Sequence, residues 1–168
     1  VDSSIATTAG TQTLTNKTID RPVIIGRTDG GNAAAGNVGE FVESKVLTGA
    51  AVSLTSGGTS NVTSISLTAG DWDVEGVVSI NAGATTSFTV QASAISLVSA
   101  TYPTLSNGGC HIVRTAAYVP NSSGNTLPTG RLRVSVSSTT TVYLVASCTF
   151  TVSTASAYGI ITARRVQS

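Results

Sequence analysis

From about Val38 onward, apolar and polar positions alternate in short runs separated by clusters of Gly, Asn, Pro and small residues. A period of two marks half-buried strands. It predicts strands at 46–55, 61–68, 72–81, 87–98, 111–119, 131–137, 142–152 and 158–166. Ser56-Gly57-Gly58, Ala69-Gly70, Ala82-Gly83-Ala84, Ser106-Asn107-Gly108-Gly109 and the run from Pro120 to Asn125 read as turns. About eight strands at this spacing predict an all-β fold, an antiparallel β-sandwich or jelly roll.

The alternation also assigns faces. Trp72, Val74, Val78 and Ile80 fall on one side of their strand with Gly76 among them; Asp71, Asp73, Glu75 and Ser79 fall on the other. Between Arg131 and Val136 the apolar residues point inward and Arg131 and Arg133 outward. Asp71, Asp73, Glu75, Arg131 and Arg133 therefore form a candidate ion-pair patch, closed across a sheet or a subunit boundary. Acids at i, i+2 and i+4 of a strand stand about 7 Å apart per step, which also suits a metal or a glycosidic pair. The structural patch is the preferred reading.

Two segments break the alternation. Val142 to Ala146 and Ala157 to Ile161 are apolar on both faces, whereas an outer strand of a monomeric sandwich is polar on its solvent side. Either an extra layer shields them or their outer faces bury against another subunit. Sparse charge and the lack of any lysine after Lys45, lysine being a common guard of sheet edges, favour the second. Leu144, Tyr158 and Ile160 are then the candidate subunit-interface residues.

Residues 1–37 read differently from the body at 38–168. Small polar residues open the chain, and Asp29-Gly30-Gly31-Asn32 with the Ala-rich stretch to Gly36 makes a turn-rich connection. The segment Thr11 to Ile19 carries only sparse apolar anchors, Leu14 and Ile19 falling out of phase. Such an extended arm needs a host to lie on, or copies of itself. A chain beginning Val1-Asp2 is expected to have lost its initiator methionine or to be a fragment.

Composition narrows the function classes. Charged residues are 10% of the 168 and the net charge is +1; nucleic-acid binding normally needs a basic patch. No apolar run approaches the length of a membrane-spanning helix, and no signal-peptide pattern opens the chain. The 23 Ser and 27 Thr make the chain polar through hydroxyls rather than charge. Residues 1–75 hold all eight carboxylates and four basic groups, while the rest holds five arginines and no acid. The two halves are expected to face each other, within one subunit or between subunits.

The chemistry-bearing residues are few. Cys110 and Cys148 lack zinc-ligand spacing and read as buried free thiols rather than a disulfide. His111 adjoins Cys110, and neighbours on a strand point to opposite faces, which makes a poor nucleophile pair. Phosphate-binding glycine loops and the Gly-x-Ser-x-Gly motif are absent. The residues indicate neither catalysis nor a cofactor or metal.

The string Gly10-Thr11-Gln12-Thr13-Leu14-Thr15-Asn16-Lys17-Thr18-Ile19 resembles one common in tailed-bacteriophage fibre and appendage proteins. The body resembles C-terminal domains of phage structural proteins over Gly39 to Thr55, Asn61 to Val74 (with Leu67-Thr68-Ala69-Gly70-Asp71-Trp72-Asp73-Val74), Thr141 to Ala146 and Tyr158 to Arg165. Together these cover roughly two thirds of the chain. The resemblance implies a homotrimer of β-sandwiches on the outside of a virion assembled in the bacterial cytoplasm. It also implies that the N-terminal arm docks on another virion protein, through Leu14, Asn16, Lys17 and Ile19. With no heptads and no shaft repeat, the expectation is a short fibre or fibre tip for host-surface attachment. Its loop residues Tyr102, Asn107, Tyr118, Asn121 and Asn125 suit a bacterial surface glycan or protein, although each also fits ordinary turn chemistry. A capsid decoration or head-fibre protein is the alternative, and a glycan-degrading tailspike module using Asp71, Asp73 or Glu75 a third. Neither nucleic acid nor membrane insertion is expected.

Overall fold

A computed structural model describes residues 29–104, 111–115 and 125–167. The chain divides into two compact units at Gly30/Gly31, and the account below concerns the second. Leu14, Asn16, Lys17, Ile19, Asn107, Cys110, Tyr118 and Asn121 lie outside the described residues, as does the side chain of His111.

Among the described residues, ten strands form two antiparallel sheets packed face to face, so the all-β sandwich predicted from alternation is the observed architecture. The strands are β1 (Phe41–Val46), β2 (Val52–Leu54), β3 (Thr59–Leu67), β4 (Gly70–Ala82), β5 (Ser87–Ser96), β6 (His111–Arg114), β7 (Asn125–Pro128), β8 (Leu132–Val136), β9 (Thr140–Thr151) and β10 (Ala155–Gln167). In the larger sheet β10 lies between β4 on one side and β1 and β2 on the other, and β7 and β8 share the far side of β4. The smaller sheet runs β3-β9-β5-β6.

Two expectations about elements are corrected. The stretch 46–55 is not one strand: a 3-10 turn at Thr48–Ala50 divides it into the end of β1 and the short β2. Asn125, the last residue of the predicted turn, instead begins strand β7, which the alternation did not predict and whose Leu127 is buried in the core opposite Val78.

The face assignments for β4 hold. Trp72, Val74, Val78 and Ile80 are buried between the sheets with Ile161, Ala157 and Ala163 of β10 and Leu144, Val142 and Phe88 of the facing sheet. A Cβ added at Gly76 would stand only 2.8 Å from Leu144 Cδ1, so the glycine makes room for that leucine. Leu144, expected at a subunit interface, is thus fully buried in the chain's own core.

At its middle, strand β9 is buried on both faces within one chain. Val145 points away from Leu144, yet it too is fully buried, as is Ala94 opposite it on β5. Beside Val145 on β3 stands Asn61, which ties down the segment after β5: its Nδ2 donates to Ser99 Oγ at 2.8 Å and its Oδ1 accepts from the Ala100 amide at 2.7 Å. Val145 is thus buried without a second subunit.

One charged side chain is locked inside. Arg165 is 1% exposed. Its Nε donates to Glu40 Oε2 at 3.0 Å, Nη1 to the Ala69 carbonyl at 2.6 Å and Nη2 to Thr68 Oγ1. The guanidinium carbon lies 4.2 Å from the centre of the Trp72 ring, and the indole N–H donates to the Thr68 carbonyl at 3.0 Å. Gly70, at φ 140°, has no room for a Cβ, which would overlap Arg165 Nη1.

Removing one partner of a buried charge pair leaves the other uncompensated, at a cost of about 3–5 kcal/mol. Arg165→Ala is accordingly expected to lower the unfolding free energy by about that amount, read from urea denaturation followed by Trp72 fluorescence.

Candidate functional site

The side chains available for chemistry lie on the outer face of the larger sheet, where cross-strand register sets them in rows. Phe41, Arg164, Asp73 and Arg133 oppose one another across β1, β10, β4 and β8. The next row is Glu43, Thr162 and Glu75, and the one beyond is Lys45, Ile160, Val77 and Pro128. Alternation places all of these outward because their neighbours Val74, Val78, Ile161 and Ala163 fill the core.

The predicted ion-pair patch forms within one chain. Arg133 Nε donates to both Asp71 carboxylate oxygens at 2.8 Å, and Arg131 Nη1 donates to Asp73 Oδ2 at 3.3 Å. Each contact runs diagonally, two positions off direct register, within reach of long side chains on a twisted sheet. Glu75 is exposed and has no ion-pair partner among the described residues. Arg164 stacks over the Phe41 ring, 5.8 Å from its centroid, and Lys45 sits 3.4 Å from Glu43.

The electrostatics follow from these contacts. The hydrogen bonds and charge of Arg133, helped by the Trp72 amide and opposed by partial burial, hold the Asp71 carboxyl below the usual carboxylate range. Its lowered value is the reverse of what a general acid requires. Burial alone raises the Cys148 thiol to about 11 and the Tyr102 phenol to about 12. Cys148 is a buried free thiol, packed in the core.

Phe41, Asp73, Glu75, Arg131, Thr162 and Arg164 border a shallow hollow of about 130 Å³. Pockets for small organic ligands run to about 300–1,000 Å³, so this hollow is a seam between paired charges, smaller than a ligand cavity. No cluster of three potential metal-ligating side chains occurs among the described residues.

Of the candidate loop residues, only Tyr102 and Asn125 are among the described residues. Asn125 is a strand residue of β7 whose side chain turns inward and donates to Gln91 Oε1 at 2.8 Å, which corrects its assignment to a receptor loop. Tyr102 is half-buried in the segment following β5. Of the interface candidates, Tyr158 and Ile160 do point outward from β10 and are half-buried. Sequence reasoning missed Arg165 as a buried group, because nothing in the pair Arg164-Arg165 marks which arginine turns inward except the alternation begun at Ile161.

Compared with known proteins, the chain matches no family model, no curated protein and no solved structure.

The sign of the pH dependence follows from Asp71. A carboxylate whose folded value is depressed contributes stability that is complete above its unfolded value, near 4, and is lost as pH falls through the folded value. The melting temperature should therefore drop as pH falls below about 4. Asp71→Asn should melt lower than the parent at pH 7 and draw level with it in acid. A second check concerns Cys148, which should escape alkylation by iodoacetamide at pH 8 in the folded protein and react once unfolded, as read by peptide mass mapping.

Proposed function

We propose that the chain is a non-enzymatic structural protein of a bacteriophage virion, a short trimeric fibre or fibre tip for host-surface attachment. The observation that supports this most is the outer face of the larger sheet. A band of Ile160, Val77 and Pro128, with Tyr158 beside it, runs across β10, β4 and β7, bordered by carboxylates and guanidiniums of both signs. An apolar centre ringed by polar and charged groups is the composition of a protein–protein contact. The resemblance of Gly10–Ile19 to phage appendage strings supplies the virion context, and the arm supplies the docking segment.

In this reading the sandwich packs against two copies of itself through the β10–β4 face, the arm holds the assembly on the particle, and loops at the free end meet the cell surface. The charged rows orient one copy against the next, since rim charges govern register more than affinity.

Two results test the proposal. Antibody raised against the chain should label intact particles of the phage that encodes it at a fixed position on the virion; unlabelled particles would refute a virion role. Ile160→Asp, which places a charge in the centre of the proposed contact, should convert the assembly to monomers in sedimentation velocity while leaving the β-sheet circular dichroism intact. An assembly unchanged by Ile160→Asp would remove this face from the interface.

A further inference from the structure

At the opposite end of the same sheet face lies a larger depression, a groove of about 440 Å³ walled by the 3-10 turn, β2 and the β4–β5 and β9–β10 turns. Its volume falls within the range of small-molecule sites. Its lining contains no charged residue. The polar groups converging on it are Thr48, Ser53, Asn81, Thr154 and Ser156. Register sets Ser53, Ser156 and Asn81 side by side across β2, β10 and β4.

Most of this hydrogen-bonding capacity is unused by the protein. Asn81 Nδ2 donates to Thr48 Oγ1 at 3.3 Å. Among the described residues, the side-chain oxygens of Asn81, Ser53, Thr154 and Ser156 make no hydrogen bond to protein.

The wall is also preorganised. The Gly83 amide donates to the Thr154 carbonyl at 2.8 Å and Thr86 Oγ1 donates to the same carbonyl at 2.7 Å, which locks the two turns together. The second turn holds Val152 at φ 55° and Ser153 at φ 72°. Positive φ at two successive residues is what a tight hairpin turn between antiparallel strands requires.

We infer that this groove binds an uncharged saccharide. Hydroxyls that both donate and accept match the hydroxyls of a sugar, the amide adds an oriented pair of groups, and the absence of charge disfavours acidic or basic ligands. A peptide docking on the free edge of β2 would need apolar pockets for its side chains, and apart from alanines the lining offers no apolar side chain. The site begins two residues along β10 from Tyr158, about 7 Å away, at the margin of the proposed subunit contact. The ligand class rests on the attachment reading; the location rests on the groove alone.

Amide-resolved NMR titration of the full chain with glucose, galactose, N-acetylglucosamine and their disaccharides tests it. The expected result is millimolar binding by at least one sugar, with shifts concentrated at Thr48, Asn81, Thr154 and Ser156. Ser156→Tyr, which fills the groove from a strand position tolerant of aromatics, should weaken that binding by about tenfold or more, and Asn81→Ala should weaken it without adding bulk. Shifts located elsewhere, binding that survives Ser156→Tyr, or no shift with any of these sugars overturns the inference. Adsorption of the same proteins to bacterial envelopes separates the two readings. Undiminished adsorption of Ser156→Tyr would leave attachment standing and remove the groove. Sugar binding in the groove without adsorption of the parent would do the reverse.

Discussion

The buried guanidinium of Arg165 is the constraint on which one end of the sandwich depends. Taking a charge out of water costs several kcal/mol even after relaxation, and the fold offsets that cost only by bringing four chain segments to one place. Glu40 arrives from the lead-in to β1, Thr68 and Ala69 from the turn after β3, Trp72 from β4, and the arginine itself from β10. Gly70 follows, because any side chain there would occupy the guanidinium's position. The Gly39 amide and the Glu40 carbonyl also pair with the Arg165 backbone at 2.9 Å, which fixes where the approach to β1 joins the sheet. A hydrophobic residue in place of the arginine would satisfy burial but would not select this arrangement of turns.

From that end the register of β10 on β4 propagates along the sheet and decides which side chains reach the outside. Ile161, Ala163 and Arg165 turn inward, so Tyr158, Ile160, Thr162 and Arg164 turn outward, in line with Ser79, Val77, Glu75 and Asp73 of β4. A one-residue slip would reverse every one of these positions. The ion pairs, the apolar band and the hydroxyl-lined groove are therefore consequences of a single register, and the roles proposed for them occupy successive rows of one face.

Much of this was legible in the sequence. Alternation in Trp72–Ile80 and Arg131–Val136 placed the inner residues of β4 and β8 and the outward acids and arginines, because a sheet buried on one face writes its period directly into the chain. Where both faces are covered the period disappears: Val142–Ala146 showed that something covers β9, but not that Val145 is buried within a single chain. β7 was hidden because a four-residue strand beginning at Asn125 and ending at Pro128 has the composition of a turn, and only its pairing with β4 makes it a strand. The break at Thr48–Ala50 and the groove it helps to wall depend on contacts distant in sequence, and the inward turn of Arg165 depends on partners from three other segments.

The central claim is that the outer face of the larger sheet is shared between copies of the chain. The solution mass of the full chain by light scattering tests it most directly. The account predicts a mass near three times 16.8 kDa, constant on dilution. A mass of 16.8 kDa at every concentration would contradict it, and the band around Ile160 and Val77 would then be the half-buried surface of a monomer.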